Sequence, residues 1–453
     1  MLENLRGIIT IPLCFLIIVC GVYLTFKLKF IQKQIPSSLR CVKMGDNKGG
    51  LSGFSTLCIT LSATVGTGNI IGVATAITLG GAGSIFWMIV AGIISMATKY
   101  AEGVLAVVYK TTNYGGKRIG GPYIYIDKAL GKHRSKPSVI YAVFGAMAGL
   151  LGIGTFTQVN GFSDAATLIF ESTYKFSFFT LSLSPIKIIS GIVIAFFSAL
   201  VIIGGAKRIV KISEIVVPPM SIIYTLLTVV IILINIDKLP NALYTIVTSA
   251  FSTGSVVGSV GGIAIKKVIE TGFSRGVFSN EAGLGSGAIA AGNSDCDDPQ
   301  SQGLIMMLAT FIDTVVICLL TGLTIMVTGA YDLAVSGTLK GLYITSYAFY
   351  DGLKFMPQIS VIILSVCVCF FAFTSIIGWN YYYICCIEYL TANKTVINFL
   401  NYLYILALFV GVFFSVDLVY SLADIFNAFM AIPNLFSLMF FSNTVTANTR
   451  DYV

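Results

Sequence analysis

The chain has 453 residues, of which 56% are hydrophobic and only 11% charged, with a formal net charge of +8 and a mean hydropathy of +0.90. A soluble domain carries about 25% charged residues, so the composition excludes an ordinary soluble protein and predicts an all-α membrane protein. The only histidine, His133, excludes a multi-histidine metal centre, and the ten cysteines, mostly in apolar runs, read as small buried hydrophobes.

The first apolar run, about Ile8–Phe26, is long enough to cross a bilayer and has no small-residue cleavage site, so it reads as a peripheral spanning helix rather than a signal peptide. The second, about Phe54–Leu79, is different. Its centre reads Ser62-Ala-Thr-Val-Gly-Thr-Gly-Asn-Ile-Ile-Gly72. Glycine weakens a helix by roughly 1 kcal/mol relative to alanine, and freed backbone groups inside a bilayer cost several kcal/mol unless something pairs with them. The run therefore predicts a helix broken at mid-membrane, with its loose backbone groups free to bind a solute or ion.

Nine further runs follow: about Ser84–Tyr109, Val139–Phe170, Ile186–Gly204, Ile212–Ile234, Tyr244–Val268, Gln302–Thr328, Gln358–Cys386, Val396–Phe414 and Leu418–Phe441. With loops assigned alternately to the two faces, 21 of the 28 lysines and arginines fall on one face and six on the other, with Lys99 inside a span. The basic face is expected in the cytoplasm, with the N-terminus outside and the C-terminus inside. This also accounts for the positive balance without nucleic acid.

After the peripheral helix and its loop (1–53), the spans divide into five (54–235) and five (236–441), followed by a tail (442–453). An odd number of spans per half makes the halves inverted. The second half opens on Ala250-Phe-Ser-Thr-Gly-Ser-Val-Val-Gly-Ser-Val-Gly-Gly262, a glycine-rich run that could match the first break. Close helix packing at small-xxx-small spacing is the competing reading.

The stretches Leu61–Ile77, Gly120-Gly-Pro-Tyr-Ile-Tyr-Ile126, Arg275-Gly-Val-Phe-Ser-Asn-Glu-Ala-Gly-Leu-Gly-Ser286 and Phe373-Thr-Ser-Ile-Ile-Gly-Trp379 resemble the alanine-or-glycine:cation symporter family of prokaryotic transporters. The resemblance extends over nearly the whole chain. It implies a LeuT-type fold, 11 transmembrane helices with a five-plus-five inverted repeat and a peripheral N-terminal helix, in a prokaryotic cell membrane. It also implies sodium as coupling ion and a small neutral amino acid as cargo. No other cofactor and no obligatory protein partner is expected. One departure stands out: where the family usually reads Gly-Gly-Phe, this chain has Gly258-Ser-Val260, which leaves the exact substrate open.

A zwitterionic amino acid needs donors for its carboxylate and acceptors for its ammonium. The backbone of Gly66, Thr67 and Gly68 with the Asn69 side chain is expected to meet the carboxylate. Carbonyls near Gly258 and Ser259, with the Gln158 amide, are expected to meet the ammonium. Trp379 is expected to close the apolar side, against the alternative of an interfacial belt residue. By similarity to LeuT-type folds, Thr374 and Ser375 would join carbonyls near Ser62 and Val65 around sodium; bonding back to their own helix is the plainer alternative.

Lys99 and Glu102, three apart, are expected to pair. Asp313 has no obvious local partner and could be a structural or gating group, a proton carrier or an ion ligand. The block Arg275–Ser286 is expected on the cytoplasmic side as a short helix and turn of an inner gate. No GxxxxGK[ST] run is present, which disfavours ATP-driven transport. No facing nucleophile and base suggests an enzyme. A proton-coupled permease and a passive channel remain as alternatives.

Overall fold

Apolar segments with no water around them must close their backbone hydrogen bonds internally, and this chain does so as helices. A computed structural model describes residues 2–43, 51–112, 118–170, 176–178, 181–183, 185–252, 265–414 and 416–449. In chain order the first helices are α1 (Leu2–Lys27), α2 (Ile35–Val42), α3 (Gly53–Thr64), α4 (Ile71–Gly80), α5 (Gly83–Val108), α6 (Pro122–Leu130), α7 (Lys136–Leu151), α8 (Phe156–Phe170), α9 (Pro185–Ile202), α10 (Gly205–Ile234) and α11 (Leu239–Phe251). There follow α12 (Ile265–Asn280), α13 (Ser286–Gly292), α14 (Pro299–Thr310), α15 (Leu319–Val327), α16 (Ala330–Val335), α17 (Leu342–Gly352), α18 (Pro357–Leu390), α19 (Lys394–Val410), α20 (Val416–Phe440) and α21 (Ser442–Ala447). Strands are confined, among the described residues, to two small antiparallel hairpins.

Eight of the described helical stretches are long and apolar enough to cross a membrane. Two bent pairs raise the number to ten: Pro12–Lys27 with Ile31–Val42, bent by 70°, and Gly53–Thr64 with Thr67–Gly80, bent by 63°. The second is the break expected at Ser62–Gly72. The first was not expected. Lys29 and Phe30 take left-handed backbone (φ 53° and 60°) and turn the chain into α2, which lies against α14 in place of a plain loop.

The expected span Tyr244–Val268 does not form as one helix. The chain leaves α11 at Phe251, and α12 starts at Ile265 with Lys266 and Lys267 exposed. The Gly254–Gly262 run, with Gly258 and Ser259, lies outside the described residues.

The block Arg275–Ser286 is in the interior and not in a cytoplasmic loop: Arg275, Asn280, Glu281 and Ser286 are all buried. The reason is the path of α12, which packs along α5 in the same direction. A Cβ on Gly272 would lie 2.7 Å from Trp87 Cβ, and one on Gly276 3.0 Å from the Met88 carbonyl. Further on, the amides of Gly283 and Gly285 donate to Glu102. Lys266 and Lys267 therefore sit at the end where α5 begins, and Arg275 is drawn inside.

The interval between α12 and α13 is a second interruption. Glu281, Gly283 and Gly285 all have positive φ (55°, 82° and 73°). Glycine takes this backbone freely, whereas for glutamate it costs roughly 1–2 kcal/mol. The stretch joining α14 to α15, Phe311–Cys318, widens into a π-helix that contains Asp313. Such widenings are frequent at functional sites.

Candidate functional site

Helix α3 ends at Thr64, and Val65 and Gly66 take extended backbone before a 3₁₀ turn over Thr67–Asn69 leads into α4. The break exposes backbone donors, and side chains take them up. The Gly66 amide donates to Asn69 Oδ1 at 2.9 Å. The Thr67 amide and hydroxyl both donate to Gln158 Oε1, at 3.2 and 3.0 Å. Gln158 Nε2 donates to the Ile153 carbonyl at 3.1 Å, in the non-helical link between α7 and α8. One glutamine thus joins two irregular segments.

Any larger residue at 66 would displace the side chains packed against it. A Cβ there would lie 2.5 Å from Ser375 Oγ and 3.1 Å from Gln158 Oε1. Gly68 is more open, with Phe278 Cδ1 3.9 Å from a Cβ placed on it. Phe278 is one wall that the sequence did not single out. Arg275 stacks near it, its guanidinium carbon 5.0 Å from the Tyr420 ring centre and 6.0 Å from that of Phe278.

The four proposed sodium ligands converge only in part. Ser375 donates to the Val65 carbonyl at 3.4 Å. Ser62 bonds back to the Ile59 carbonyl at 2.8 Å, but it also faces α18, since a Cβ on Gly378 would lie 2.6 Å from its hydroxyl. Thr374 bonds back to the Phe370 and Phe371 carbonyls at 3.0 and 3.2 Å and lies 3.7 Å from Met220 sulfur. It follows the plainer reading.

Trp379 is fully buried, which removes it from any interfacial belt. Its indole Nε1 donates to Glu281 Oε1 at 2.8 Å, and Ser286 donates to the other carboxylate oxygen. Asp313 receives Asn69 Nδ2 on Oδ1 at 2.8 Å, and Ser279 and Thr314 on Oδ2 at 2.9 and 2.8 Å. The two interruptions, at Val65–Asn69 and after Asn280, are therefore joined through Asp313. Lys99 and Glu102 lie 3.8 Å apart, both buried. Glu102 Oε1 accepts from Gly283, Gly285 and Asn434.

Glu281, Ser279 and Phe278 were missed as site residues. They lie in the quoted block Arg275–Ser286, but its basic flank placed that block in a loop. Asp313 carried the available signal, a carboxylate inside an apolar run. Its partners could not be read, because they are distant in sequence.

The family comparison and the sequence relatives point the same way. The model of the sodium:alanine symporter family matches residues 1–453. The sodium/alanine symporter AgcS of Methanococcus maripaludis is 40% identical, over 95% of this chain and 92% of its own. The probable sodium/glutamine symporter GlnT of Bacillus subtilis is 35% identical, over 95% and 86%. A solved structure, a point mutant of the Eremococcus coleocola manganese transporter, superposes with a TM-score of 0.47 at 10% identity, covering 87% of this chain and 88% of that one.

Proposed function

The chain belongs to the sodium:alanine symporter family, and from that premise we propose that it imports a small neutral amino acid of the alanine or glycine kind, driven by a sodium gradient through alternating access. The coarser statement, a sodium-coupled amino acid symporter of the membrane, follows from the family itself. The finer one is supported above all by the break at Val65–Asn69, where Gln158 and Ser375 lie within bonding distance of unwound backbone.

On this reading the substrate carboxylate takes the donors of Gly66, Thr67 and Gly68. The Thr67 amide and hydroxyl now point at one neutral oxygen of Gln158. A carboxylate in its place gains charge-assisted bonds, about twice as strong as neutral ones, and the displaced amide turns toward the ammonium. Phe278 and Trp379 wall the small apolar side. Sodium is assigned to Ser62, Val65, Thr374 and Ser375, with Ser375 and the Val65 carbonyl as its core. Asn69 acts on the carboxylate through the backbone it holds.

The chain path supports eleven spans once α12, the bend and α13 are taken as one broken crossing in place of Tyr244–Val268. The five-plus-five inverted repeat is then built around the breaks in α3–α4 and α12–α13. Proton coupling has one observation in its favour, the buried Asp313 one hydrogen bond from the break.

Uptake of labelled alanine and glycine into proteoliposomes, with an imposed sodium or proton gradient, tests the proposal. Sodium alone is expected to drive uptake. Uptake driven by a proton gradient without sodium would transfer the coupling to Asp313, and no uptake with either would overturn the substrate assignment. Competition by unlabelled glutamine tests the size limit, since GlnT bears that name; the small site predicts weak competition.

A further inference from the structure

An apolar groove of about 560 Å³ opens where α6, the start of α7 and the end of α20 meet. Its walls include Leu130, Ile140, Phe429, Ile432, Phe436 and Phe440, all at least 38% exposed. All but Leu130, which ends α6, belong to two candidate spans, Lys136–Phe170 and Leu418–Phe440, and Ile140 and Phe440 lie near their ends, so the groove faces the bilayer near one membrane surface. Beside it, the end of α6, the turn that follows and the start of α7 carry Lys128, Lys132, His133, Arg134 and Lys136, all exposed.

That turn is held in place. Asp127 accepts from the amides of Arg134 and Ser135, each at 2.8 Å, from Ser138 Oγ at 2.6 Å and from Tyr389 Oη at 2.7 Å. Arg134 donates to the Tyr389 carbonyl at 2.8 Å and is committed to the protein. Lys128, Lys132 and Lys136 make no ion pair among the described residues. The arrangement is therefore an apolar slot beside a turn held in place by Asp127, with three exposed lysines on and around that turn. Scattered surface lysines would attract an anionic leaflet but would not select a chain and a headgroup together.

We propose that this groove binds one anionic phospholipid, with an acyl chain against Phe429–Phe440 and its phosphate at Lys128, Lys132 and Lys136. The groove supplies the apolar contact that free phosphate cannot use, and the lysines supply the discrimination that a zwitterionic lipid does not exploit.

Native mass spectrometry of the delipidated full-length protein, titrated with dioleoylphosphatidylglycerol or dioleoylphosphatidylcholine, reads this directly. The anionic lipid is expected to remain bound at lower concentration. The triple variant K128Q/K132Q/K136Q is expected to lose affinity for it by about fivefold per lysine, and for the zwitterionic lipid, whose ammonium offsets its phosphate, by much less. Ala129→Phe, which fills the groove, is expected to weaken both. Equal retention of the two lipids by the native protein, or undiminished phosphatidylglycerol binding by the triple variant, would overturn the site. The lysines are all exposed, so the triple variant keeps the test valid even where the groove variant misfolds.

Discussion

Asn69 is a single side chain with two obligations. Its Oδ1 receives the freed amide of Gly66 and its Nδ2 donates to Asp313. Truncation leaves the buried Gly66 N–H without its acceptor and Asp313 Oδ1 without its Asn69 donor, while Ser279 and Thr314 still serve Oδ2; each group left unpaired costs about 1–3 kcal/mol. Asn69→Ala is therefore expected to abolish alanine uptake and to lower the thermal unfolding midpoint as well. A variant inactive at unchanged stability would mean that Asn69 contacts substrate only. Ser375 makes the opposite case, because its hydroxyl supports one carbonyl of the break. Ser375→Ala is expected to raise the sodium concentration for half-maximal uptake about tenfold, the worth of one bond to a charged group. Thr374→Ala should shift it less, since Thr374 is bonded to its own helix. An identical shift for both would refute this ranking.

At the scale of elements, the break in α3–α4 was legible because its glycines and polar residues are contiguous. The break after α12 was not. Its glycines were visible, but the strained residue is Glu281, whose left-handed backbone is held by contacts with Trp379 and Ser286 from other segments. Glu281→Ala removes both acceptors, whereas Glu281→Gln keeps an oxygen for the indole. The alanine variant is expected to unfold at the lower temperature, and equal midpoints would detach Glu281 from the bend. The Asp127 turn gives a pH-dependent counterpart. Burial works to raise the Asp127 pKa, but the bonds from Ser138, Ser135, Tyr389 and Arg134 outweigh it and hold the carboxyl below its ordinary value. The folded pKa is the lower one, so the stabilisation is complete above about pH 4 and is lost as the pH falls through the folded value. The thermal stability lost in Asp127→Asn should be constant above that pH and shrink below it. A gap that widens in acid would reverse the assignment.

For the whole molecule, composition and apolar run length made the membrane class and most spans readable, because lipid leaves helices as the main option. The chain path near residues 239–292 was unreadable for the same reason: α12 has a mixed, weakly apolar sequence, and its apolar neighbours misplace the crossing. Counting charges could not detect the error, because shifting a span by some 20 residues moves Lys266 and Lys267 together and leaves an asymmetry that still looks acceptable. Contacts decide otherwise. The α12 helix starts beside the start of α5 and descends with it, until Gly283 and Gly285 reach Glu102. Beyond the end of α5, Gly120 packs on Gly292, and the basic turn with Lys132 follows α6 at that same end. Lys132 and Lys267 are both exposed and must face opposite compartments, although the loop count placed them on one. Single cysteines at the two positions, tested in intact cells with a membrane-impermeant maleimide, separate the two paths. Lys267→Cys and Lys132→Cys are expected to label from opposite sides, Lys267→Cys from outside if the basic turn is cytoplasmic, with the partner labelled only after permeabilisation. Labelling of both from one side would return the crossing to Tyr244–Val268 and dissolve the pairing of the two breaks at Asp313.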